Sequence, residues 1–231
     1  MGQIDLLEAR PVPVLREGID LRCCDVTDLL NDPAVADSPL IIADPPWQYS
    51  QAPGHSADPE LHYAGMSDRA IADLLDGAWD RIDRGRLALW CTWPKLGQWE
   101  EATRAGRWRW IYKTGGSWHK TGGSQGTGFH WLGASELVLV YSKGTGLCTK
   151  WTSLPNAHTS ARGRHSEKPA GWMAGWIERW TDPGDLVVDL FAGMGPVAVA
   201  CLQTGRRYLG AEVCPIRAEA ARLAIWRAAR V

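Results

Sequence analysis

Short apolar runs alternate along this chain with segments in which apolar residues recur every three or four positions. A strand buried on both faces is a continuous apolar run, whereas a helix with one buried face repeats every 3.6 residues, so the pattern predicts alternating strands and helices. The predicted strands cover residues 20–24, 39–43, 86–91, 108–112, 136–141, 186–190 and 207–211. The predicted helices cover residues 67–83, 96–105, 168–180, 196–204 and 215–230. This order predicts a doubly wound, three-layer α/β fold.

Two stretches between the predicted elements show no period. Residues 114–128 are rich in Gly, Ser and Thr, and residues 142–165 have a similar composition. Long segments without secondary structure are uncommon inside a compact domain unless they serve a function. We find no internal repeat and no linker, so we expect residues 1–231 to form a single domain in which these two stretches are loops that recognise nucleic acid.

Charge is unevenly distributed along the chain. The formal net charge is −1, but the segment 104–168 holds ten basic and two acidic residues, which is +8 and leaves −9 elsewhere. Such a local excess of positive charge attracts phosphate. The candidate phosphate contacts are the basic residues of the predicted loops, Lys120, Lys150, Arg162 and Arg164. A solvated basic face without a partner is the alternative.

Composition excludes several classes of protein. The six cysteines form no C-x-x-C pair and the six histidines have no metal-ligand spacing, so we expect no metal site. No apolar run approaches the length of a membrane span, and the first residues lack the pattern of a signal peptide. We therefore expect a soluble, cytoplasmic protein with no membrane partner.

A glycine turn follows the apolar run near residue 189. It consists of Asp189, Leu190, Phe191, Ala192, Gly193, Met194 and Gly195. Glycines let the chain turn sharply and let a ligand approach the backbone, and an acidic residue after the next strand can accept the hydroxyls of a ribose. Glu212 occupies that position. The turn lacks the third glycine of a dinucleotide site and the Gly-Lys-Ser/Thr of a P-loop. A tight turn without a ligand is the alternative.

A second turn motif, Asp44-Pro45-Pro46-Trp47, follows the apolar run 39–43. Asp-Pro favours turns for local reasons, so the motif alone is compatible with a strand-end turn. Its combination with the glycine turn is more informative. An Asp-Pro-Pro-aromatic motif after an apolar strand, with F-x-G-x-G elsewhere, resembles the amino-methyltransferases that act on exocyclic amines, and the tryptophan form resembles the MT-A70 group.

The order of the motifs is similar to that of the permuted, beta-class DNA adenine methyltransferases, because the catalytic motif precedes the cofactor turn. The resemblance implies a Rossmann-like, seven-stranded methyltransferase fold, mostly parallel with one antiparallel strand, and S-adenosylmethionine as the cofactor. In this family a Lys-Pro helix packs under the cofactor, which Lys168 and Pro169 match. An Asp near the cofactor's adenine corresponds to Asp25.

The resemblance also assigns roles to the catalytic motif. The Asp44 side chain and the Pro45 carbonyl accept the two protons of the target amine, and Pro46 helps to hold that carbonyl because proline fixes the backbone angle φ. Trp47 then stacks on a base that has been rotated out of the duplex. Of two further tryptophans, Trp90 favours core packing, while Trp93 is a candidate wall for the cofactor or the base.

These features predict an enzyme that methylates the N6 amine of adenine in DNA by base flipping. An adenine-N6 methyltransferase that acts on RNA is the nearest alternative. A catalytically silent, nucleic-acid-binding subunit of a methyltransferase pair is the alternative from another class, although such subunits lose the acceptor Asp or the glycines. The sequence leaves a monomer and a homodimer open.

Overall fold

Eight strands form one sheet in the computed structural model, which describes residues 14–48, 65–104, 114–122, 133–144, 155–161 and 167–230. The strands are β1 (Ile19–Arg22), β2 (Leu40–Ala43), β3 (Gly85–Cys91), β4 (Thr114–Thr121), β5 (Ser135–Lys143), β6 (Ala157–Ala161), β7 (Leu186–Asp189) and β8 (Arg207–Ala211). They lie side by side in the order β1-β8-β7-β2-β3-β5-β4-β6.

The sheet is parallel except for β5. This strand runs antiparallel to both of its neighbours, β3 and β4, and the other neighbouring pairs are parallel. A mostly parallel sheet with one antiparallel strand is therefore confirmed for the described residues. The strand count differs from the predicted seven, because β4 and β6 were not predicted; the predicted strand 108–112 lies outside the described residues.

Helices cover both faces of the sheet and bury two separate apolar cores. The helices are α1 (Val26–Leu30), α2 (Asp68–Arg81), α3 (Trp93–Arg104), α4 (Ala170–Trp180), α5 (Pro196–Thr204) and α6 (Pro215–Ala228), with a short 3-10 helix at Pro33–Asp37. In β2, Ile41 and Ala43 join the core beneath α1–α3, whereas Leu40 and Ile42 join the core beneath α4–α6. This alternation confirms the three-layer arrangement. None of the helices in the described ranges is both long and apolar enough to span a membrane.

The two segments predicted as loops are partly strands. Residues 114–121 form β4 inside the sheet, residues 157–161 form the edge strand β6, and residues 142–143 end β5. One of the glycines that suggested a loop, Gly116, serves packing instead, since a side chain there would begin 3.1 Å from the Trp172 ring. The prediction of recognition loops over 114–128 and 142–165 is thus wrong for these residues. The remainder of both segments lies largely outside the described residues.

Tryptophan is mainly a core residue in this protein. Of the ten tryptophans in the described ranges, seven are buried, and Trp90 is at the centre of the largest group. The rings of Trp118, Trp172 and Trp176 lie 5.7 to 6.1 Å from the Trp90 ring. Edge-to-face aromatic pairs of this kind contribute about 0.5–1.5 kcal/mol each beyond the burial of their surface. The predicted packing role of Trp90 is confirmed.

Candidate active site

The carboxyl ends of β1, β2, β7 and β8 meet at one edge of the sheet, because these strands are parallel neighbours. A cleft of about 510 Å³ opens at this edge. Its walls include these residues selected from the sequence: Asp25, Asp44, Pro46, Phe191, Gly193 and Glu212. Ligand sites in open α/β sheets form at the carboxyl ends of the strands, and this volume lies in the range of small-molecule pockets. The cleft is therefore the candidate active site.

The two glycines of the turn after β7 are required for different reasons. Both have left-handed backbones, with φ of 54° at Gly193 and 80° at Gly195. A Cβ at Gly195 would lie 3.0 Å from the Ala221 Cβ, so this glycine lets α5 pack closely against α6. A Cβ at Gly193 would meet no atom within 4 Å. Gly193 thus presents bare backbone to the cleft, as the sequence predicts for a ligand-binding turn.

Glu212 is fixed on the cleft wall by the backbone. Its side chain Oε2 accepts a hydrogen bond from the Gly193 N–H and its Oε1 accepts one from the Cys214 N–H, both at 2.8 Å. The residue is 7% exposed. Each carboxylate oxygen can accept a further hydrogen bond. Glu212 is therefore a hydrogen-bond acceptor held in place on the cleft wall, and its contact with ligand hydroxyls stays a prediction.

Asp25 also lines the cleft and caps α1. Its Oδ1 accepts hydrogen bonds from the Thr27 backbone N–H at 2.8 Å and from the Thr27 hydroxyl at 2.6 Å. These hydrogen bonds hold the pKa of the Asp25 carboxyl below its ordinary value. The side chain is thus ionised and partly occupied by its own helix. Its place beside the cleft agrees with the position predicted from the family resemblance.

Asp44 follows β2 and faces two cavities. It lines the large cleft and also a smaller, adjoining cavity of about 60 Å³. Its Oδ2 lies 2.6 Å from the Lys168 Nζ, and 37% of the side chain is open to the cleft. The deep position in the cleft raises the pKa of Asp44, and the Lys168 ammonium opposes this shift. Asp44 is consequently the exposed end of an otherwise buried charge arrangement.

That arrangement is a chain of four alternating charges. Beyond Asp44, the Lys168 Nζ lies 3.2 Å from the Glu136 Oε2, and the Glu136 Oε1 lies 2.9 Å from the Lys120 Nζ. Lys168 is only 8% exposed; burial lowers its pKa, but the two carboxylates more than offset this and raise it. Burial raises the pKa of Glu136, and the two lysines outweigh this and lower it. Lys168 and Glu136 are therefore held in their charged forms by the opposite charges on either side of them.

Two predictions change with this network. Lys168, expected to pack under the cofactor, contacts the Asp44 carboxylate directly. Lys120, expected to contact phosphate, is wrongly assigned: its side chain is 15% exposed and its ammonium is paired with Glu136. The sequence did not single out Glu136 as a site residue. The available signal was an acidic residue at the start of a strand in a strongly basic segment.

Backbone hydrogen bonds connect the diproline segment to Met66, which lies just before α2. The Pro45 carbonyl accepts a hydrogen bond from the Trp47 N–H at 2.8 Å, and the Pro46 carbonyl accepts one from the Met66 N–H at 2.7 Å. Trp47 and Met66 form an isolated parallel bridge. The Pro45 carbonyl keeps one lone pair for another donor. The turn is therefore held rigidly beside the cleft.

The Trp47 ring occupies a different place from the predicted one. It is 9% exposed, its Nε1–H donates to the Trp90 carbonyl at 3.1 Å, and its ring meets the Trp99 ring edge to face at 5.9 Å. The indole is consequently buried, with little of its surface open to the cleft. The expectation that Trp47 stacks on a base is wrong for this conformation.

The remaining residues predicted to bind the cofactor lie in the glycine turn after β7 or at the start of α4. Asp189 is buried, accepts hydrogen bonds from the Phe191 N–H and the Tyr208 hydroxyl, and burial raises its pKa to about 7. Ala192 donates its N–H to the Ala211 carbonyl and lines the smaller cavity. Pro169 is the cap residue of α4. Lys150, Arg162 and Arg164 lie outside the described residues.

Trp93 is the first residue of α3 and follows the carboxyl end of β3. Trp93 is 59% exposed, and its Nε1–H donates to the Ser135 hydroxyl at 3.0 Å. Ser135 directly precedes Glu136 at the start of β5. The Trp93 ring is therefore exposed to solvent and yet held in one orientation.

Comparison with known sequences places the C-terminal part of the chain with DNA methylases. Residues 140–223 match the N6_N4_Mtase family, described as DNA methylase. This range includes Lys168, the glycine turn and Glu212. YubD of Escherichia coli (strain K12), provisionally named a methylase, is 43% identical over 56 residues, which are 24% of this chain and 25% of YubD. The matched part thus spans about a quarter of this curated relative.

Comparison with solved structures covers almost the whole chain. M1.HpyAVI has a TM-score of 0.66 at 16% identity over 90% of this chain and 98% of its own. TTHA0409 of Thermus thermophilus, provisionally named a DNA modification methylase and solved with S-adenosylmethionine, has a TM-score of 0.63 at 22% identity over 91% of this chain and 95% of its own. The cytosine-N4-specific PvuII DNA methyltransferase has a TM-score of 0.67 at 14% identity over 91% and 93%. These similarities confirm the α/β methyltransferase fold.

Proposed function

We propose that this protein is an S-adenosylmethionine-dependent methyltransferase that modifies the exocyclic N6 amine of adenine in DNA. One observation carries the proposal: the Asp44 carboxylate opens into the same cleft as the bare backbone of Gly193 and the fixed carboxylate of Glu212. A hydrogen-bond acceptor for an amine is thereby placed next to a site suited to a nucleoside. The match of residues 140–223 to DNA methylases supports DNA as the substrate.

The residues of the cleft fit the cofactor. A buried, doubly held carboxylate at Glu212 suits two neighbouring ribose hydroxyls, and the space above Gly193 lets a ligand approach the backbone. Asp25 and Glu212 lie on the walls at a distance from Asp44 along the sheet, as the strand order requires. When bound, S-adenosylmethionine supplies an electrophilic methyl group on a sulfonium.

Asp44 is the acceptor that orients the target amine. The lone pair of an adenine amine is delocalised into the ring, which makes the nitrogen a poor nucleophile. Acceptors that draw its two protons out of the plane of the ring localise the lone pair on the nitrogen and make it a better nucleophile. Lys168 occupies the Asp44 Oδ2, which leaves Oδ1 as the acceptor for one amine proton. The Pro45 carbonyl offers its second lone pair to the other proton. Asp44 is placed to accept the proton that the amine would lose on methylation.

The base must leave a duplex to reach Asp44, because the carboxylate lies at the bottom of a cleft. Base flipping is the general solution of enzymes that act on a base edge. The resemblance of Asp44-Pro45-Pro46-Trp47 to the MT-A70 motif supports adenine as that base. Cytosine N4 is the second candidate, favoured by the similarity of the fold to the cytosine-N4-specific PvuII enzyme. Both bases present an exocyclic amine to the same kind of acceptor.

The intact acceptor and glycine turn argue against a catalytically silent subunit. Asp44 is open to the cleft, and Gly193 and Gly195 both adopt the left-handed backbone that the turn requires. A chain that had lost catalysis has no chemical need to retain a raised-pKa carboxylate beside a cleft of this size. These residues support an active enzyme.

The test uses S-adenosylmethionine labelled in its methyl group, with duplex DNA, single-stranded DNA and RNA as competing substrates. The product is digested to nucleosides, and the labelled one is identified by mass spectrometry. We expect label on N6-methyl-2′-deoxyadenosine, the nucleoside that DNA methylated at adenine N6 yields on digestion. The Asp44→Ala variant should lose activity by at least about 100-fold, since proton-handling groups contribute about 10²–10⁴-fold.

Asp73→Ala is the matched control, because Asp73 is a surface carboxylate that pairs with Arg69 within α2. It should retain full activity, and circular dichroism should show both variants folded. Label on N4-methylcytosine would overturn adenine and keep the enzyme class. Label on RNA alone would overturn DNA. Retained activity in folded Asp44→Ala would overturn the catalytic assignment.

A further inference from the structure

An exposed aromatic side chain lies at the edge of the sheet that carries the proposed site, and the proposed reaction gives it no function. Trp93 is 59% exposed and follows directly on the carboxyl end of β3. The described chain has only one other exposed tryptophan, Trp226, which lies near the end of α6 and has the Arg230 guanidinium 4.4 Å from its ring. Most other tryptophans here are core residues. The exposure of Trp93 therefore differs from the use of this residue elsewhere in the protein.

The register of the sheet gives the position of Trp93 relative to Asp44. Ala43 on β2 pairs with Leu89 on β3, so Asp44 lies level with Trp90. Trp93 comes three residues after Trp90, where β3 has ended at Cys91 and α3 begins. It therefore lies at the same edge of the sheet as Asp44, beyond the strand that neighbours β2.

Trp93 also lies on the side of Asp44 away from the cofactor residues. Gly193, Glu212 and Asp25 follow β7, β8 and β1, which lie on one side of β2 in the sheet. Trp93 follows β3, which lies on the other side. Trp93 and the cofactor candidates therefore lie on opposite sides of Asp44, so a base held near Trp93 would not compete with a ligand held by Gly193 and Glu212.

A hydrogen bond to Ser135 of β5, the strand that carries Glu136, fixes the orientation of the Trp93 indole. The Trp93 Nε1–H donates to the Ser135 hydroxyl, and the next residue, Glu136, holds Lys168 on Asp44. A ring fixed through its N–H keeps its faces available for contact and loses little conformational freedom on stacking. An exposed, oriented indole is thus prepared for a planar partner.

We propose that Trp93 is a stacking platform for a nucleobase of the nucleic-acid substrate. The proposal rests on the proposed function, and it replaces the stacking role that the sequence assigned to Trp47, whose indole is buried in the core. Stacking on an indole does not depend on base identity. Trp93 therefore contributes affinity for the substrate and positions the base, while Asp44 performs the chemistry.

The experiment compares Trp93→Ala, Trp93→Phe and the control Trp226→Ala. Binding of a fluorescein-labelled DNA is measured by anisotropy, and KM for DNA, KM for S-adenosylmethionine and kcat are measured by methyl transfer. We expect Trp93→Ala to raise the Kd and KM for DNA by about tenfold, the scale of one base–aromatic stack. The KM for S-adenosylmethionine should not change. Trp93→Phe should restore most of the affinity, and Trp226→Ala should behave as the unchanged protein.

Ser135→Ala keeps the ring and removes its hydrogen-bonded anchor, so it decides the question if Trp93→Ala does not fold. Ser135→Ala should raise the KM for DNA by a smaller factor than the tenfold rise expected for Trp93→Ala. An unchanged affinity for DNA in both folded variants, or an equal loss for DNA and S-adenosylmethionine, would overturn the stacking role. If the unaltered protein methylates no nucleic acid, the proposed function fails, while the anisotropy comparison still tests Trp93.

Discussion

A lysine buried as deeply as Lys168 needs compensation for the water it loses. Its Nζ lies between Asp44 and Glu136, at 2.6 and 3.2 Å, and 5.1 Å from the centre of the Trp90 ring. Removing one member of a buried ionic group leaves the others uncompensated, which is costly. The lysine is consequently charged at all working pH values. Its effect on function is to favour the ionised form of Asp44, which is the form that can accept an amine proton.

Replacing Lys168 by Met tests this coupling. Activity falls as pH decreases through the pKa of Asp44, because the protonated carboxyl no longer accepts. The Lys168 ammonium opposes the rise in that pKa caused by burial. Without the ammonium the pKa rises further, so the acid limb of the kcat–pH profile should move upward by roughly one to three pH units.

Lys168→Arg is the matched control because it keeps the positive charge. Its acid limb should stay near that of the unchanged protein, even if kcat falls through altered geometry. An acid limb that stays in place in a folded Lys168→Met variant would show that Asp44 and Lys168 are not coupled.

The residues of the site were predictable only where they obey a local rule. Asp44, Gly193 and Glu212 each follow an apolar strand, and the carboxyl ends of parallel strands meet, so their convergence follows from the pattern. The pairing of Glu136 with Lys168 joins residues on β5 and α4, and no local rule fixes such a contact. Trp47 was misassigned because a motif gives the position of a ring in the sequence and not the direction in which it points.

The turn between β7 and α5 meets two structural requirements within three residues, close packing of α5 against α6 and open backbone at the cleft. Gly195 is the cap residue of α5, and its lack of a side chain lets Ala221 of α6 approach. Gly193 does not contact α6 and faces the cleft. The same turn therefore sets the packing of two helices and the access of a ligand.

Alanine at each glycine should separate these two effects. Gly195→Ala combines a left-handed backbone with a collision at 3.0 Å, and should lower the free energy of unfolding by roughly 1–3 kcal/mol. Gly193→Ala has the backbone strain without the collision, so its loss of stability should be smaller. It should instead weaken the binding of S-adenosylmethionine, since the added methyl group enters the cleft.

Urea unfolding and calorimetric titration of the cofactor measure the two quantities. The opposite ranking, with Gly193→Ala the less stable variant and Gly195→Ala the weaker binder, would contradict the division of roles. An equal loss of both properties in the two variants would contradict it as well.

Most elements were predictable, and the failures have a common physical origin. Helix α5 was predicted with its observed bounds, and α2 begins after Ser67, whose hydroxyl accepts from the Ala70 N–H at 3.2 Å. Strand β4 was missed because Gly115 and Gly116 read as a loop. Glycine has no propensity for strands, but here it makes room for Trp172 on the adjacent helix. Tertiary packing overrides local preference at such positions.

For the whole molecule, the segment 104–168 is basic in a protein whose net charge is −1. Lys120 is neutralised within it by Glu136. The affinity of a protein for duplex DNA falls with salt in proportion to the number of phosphates it neutralises. The salt dependence of binding therefore reports how many of the basic residues contact DNA.

A combined replacement of Lys150, Arg162 and Arg164 by Ala should reduce the slope of log affinity against log salt by about one per residue that contacts phosphate. Lys120→Gln should leave this slope unchanged, because its ammonium is already paired. Binding is measured by anisotropy between about 50 and 200 mM salt. An unchanged slope in the triple variant would contradict the assignment of these residues to phosphate.

The place of β2 in the sheet has a consequence for how the protein is made. β2 lies between β3 and β7, and β1 pairs with β8, the last strand of the described chain. During translation, the strands that begin the sheet leave the ribosome long before their partners exist. Pairing between such distant segments is slow, and unpaired apolar strands invite aggregation. The nascent chain therefore has an incomplete site until β8 has been synthesised.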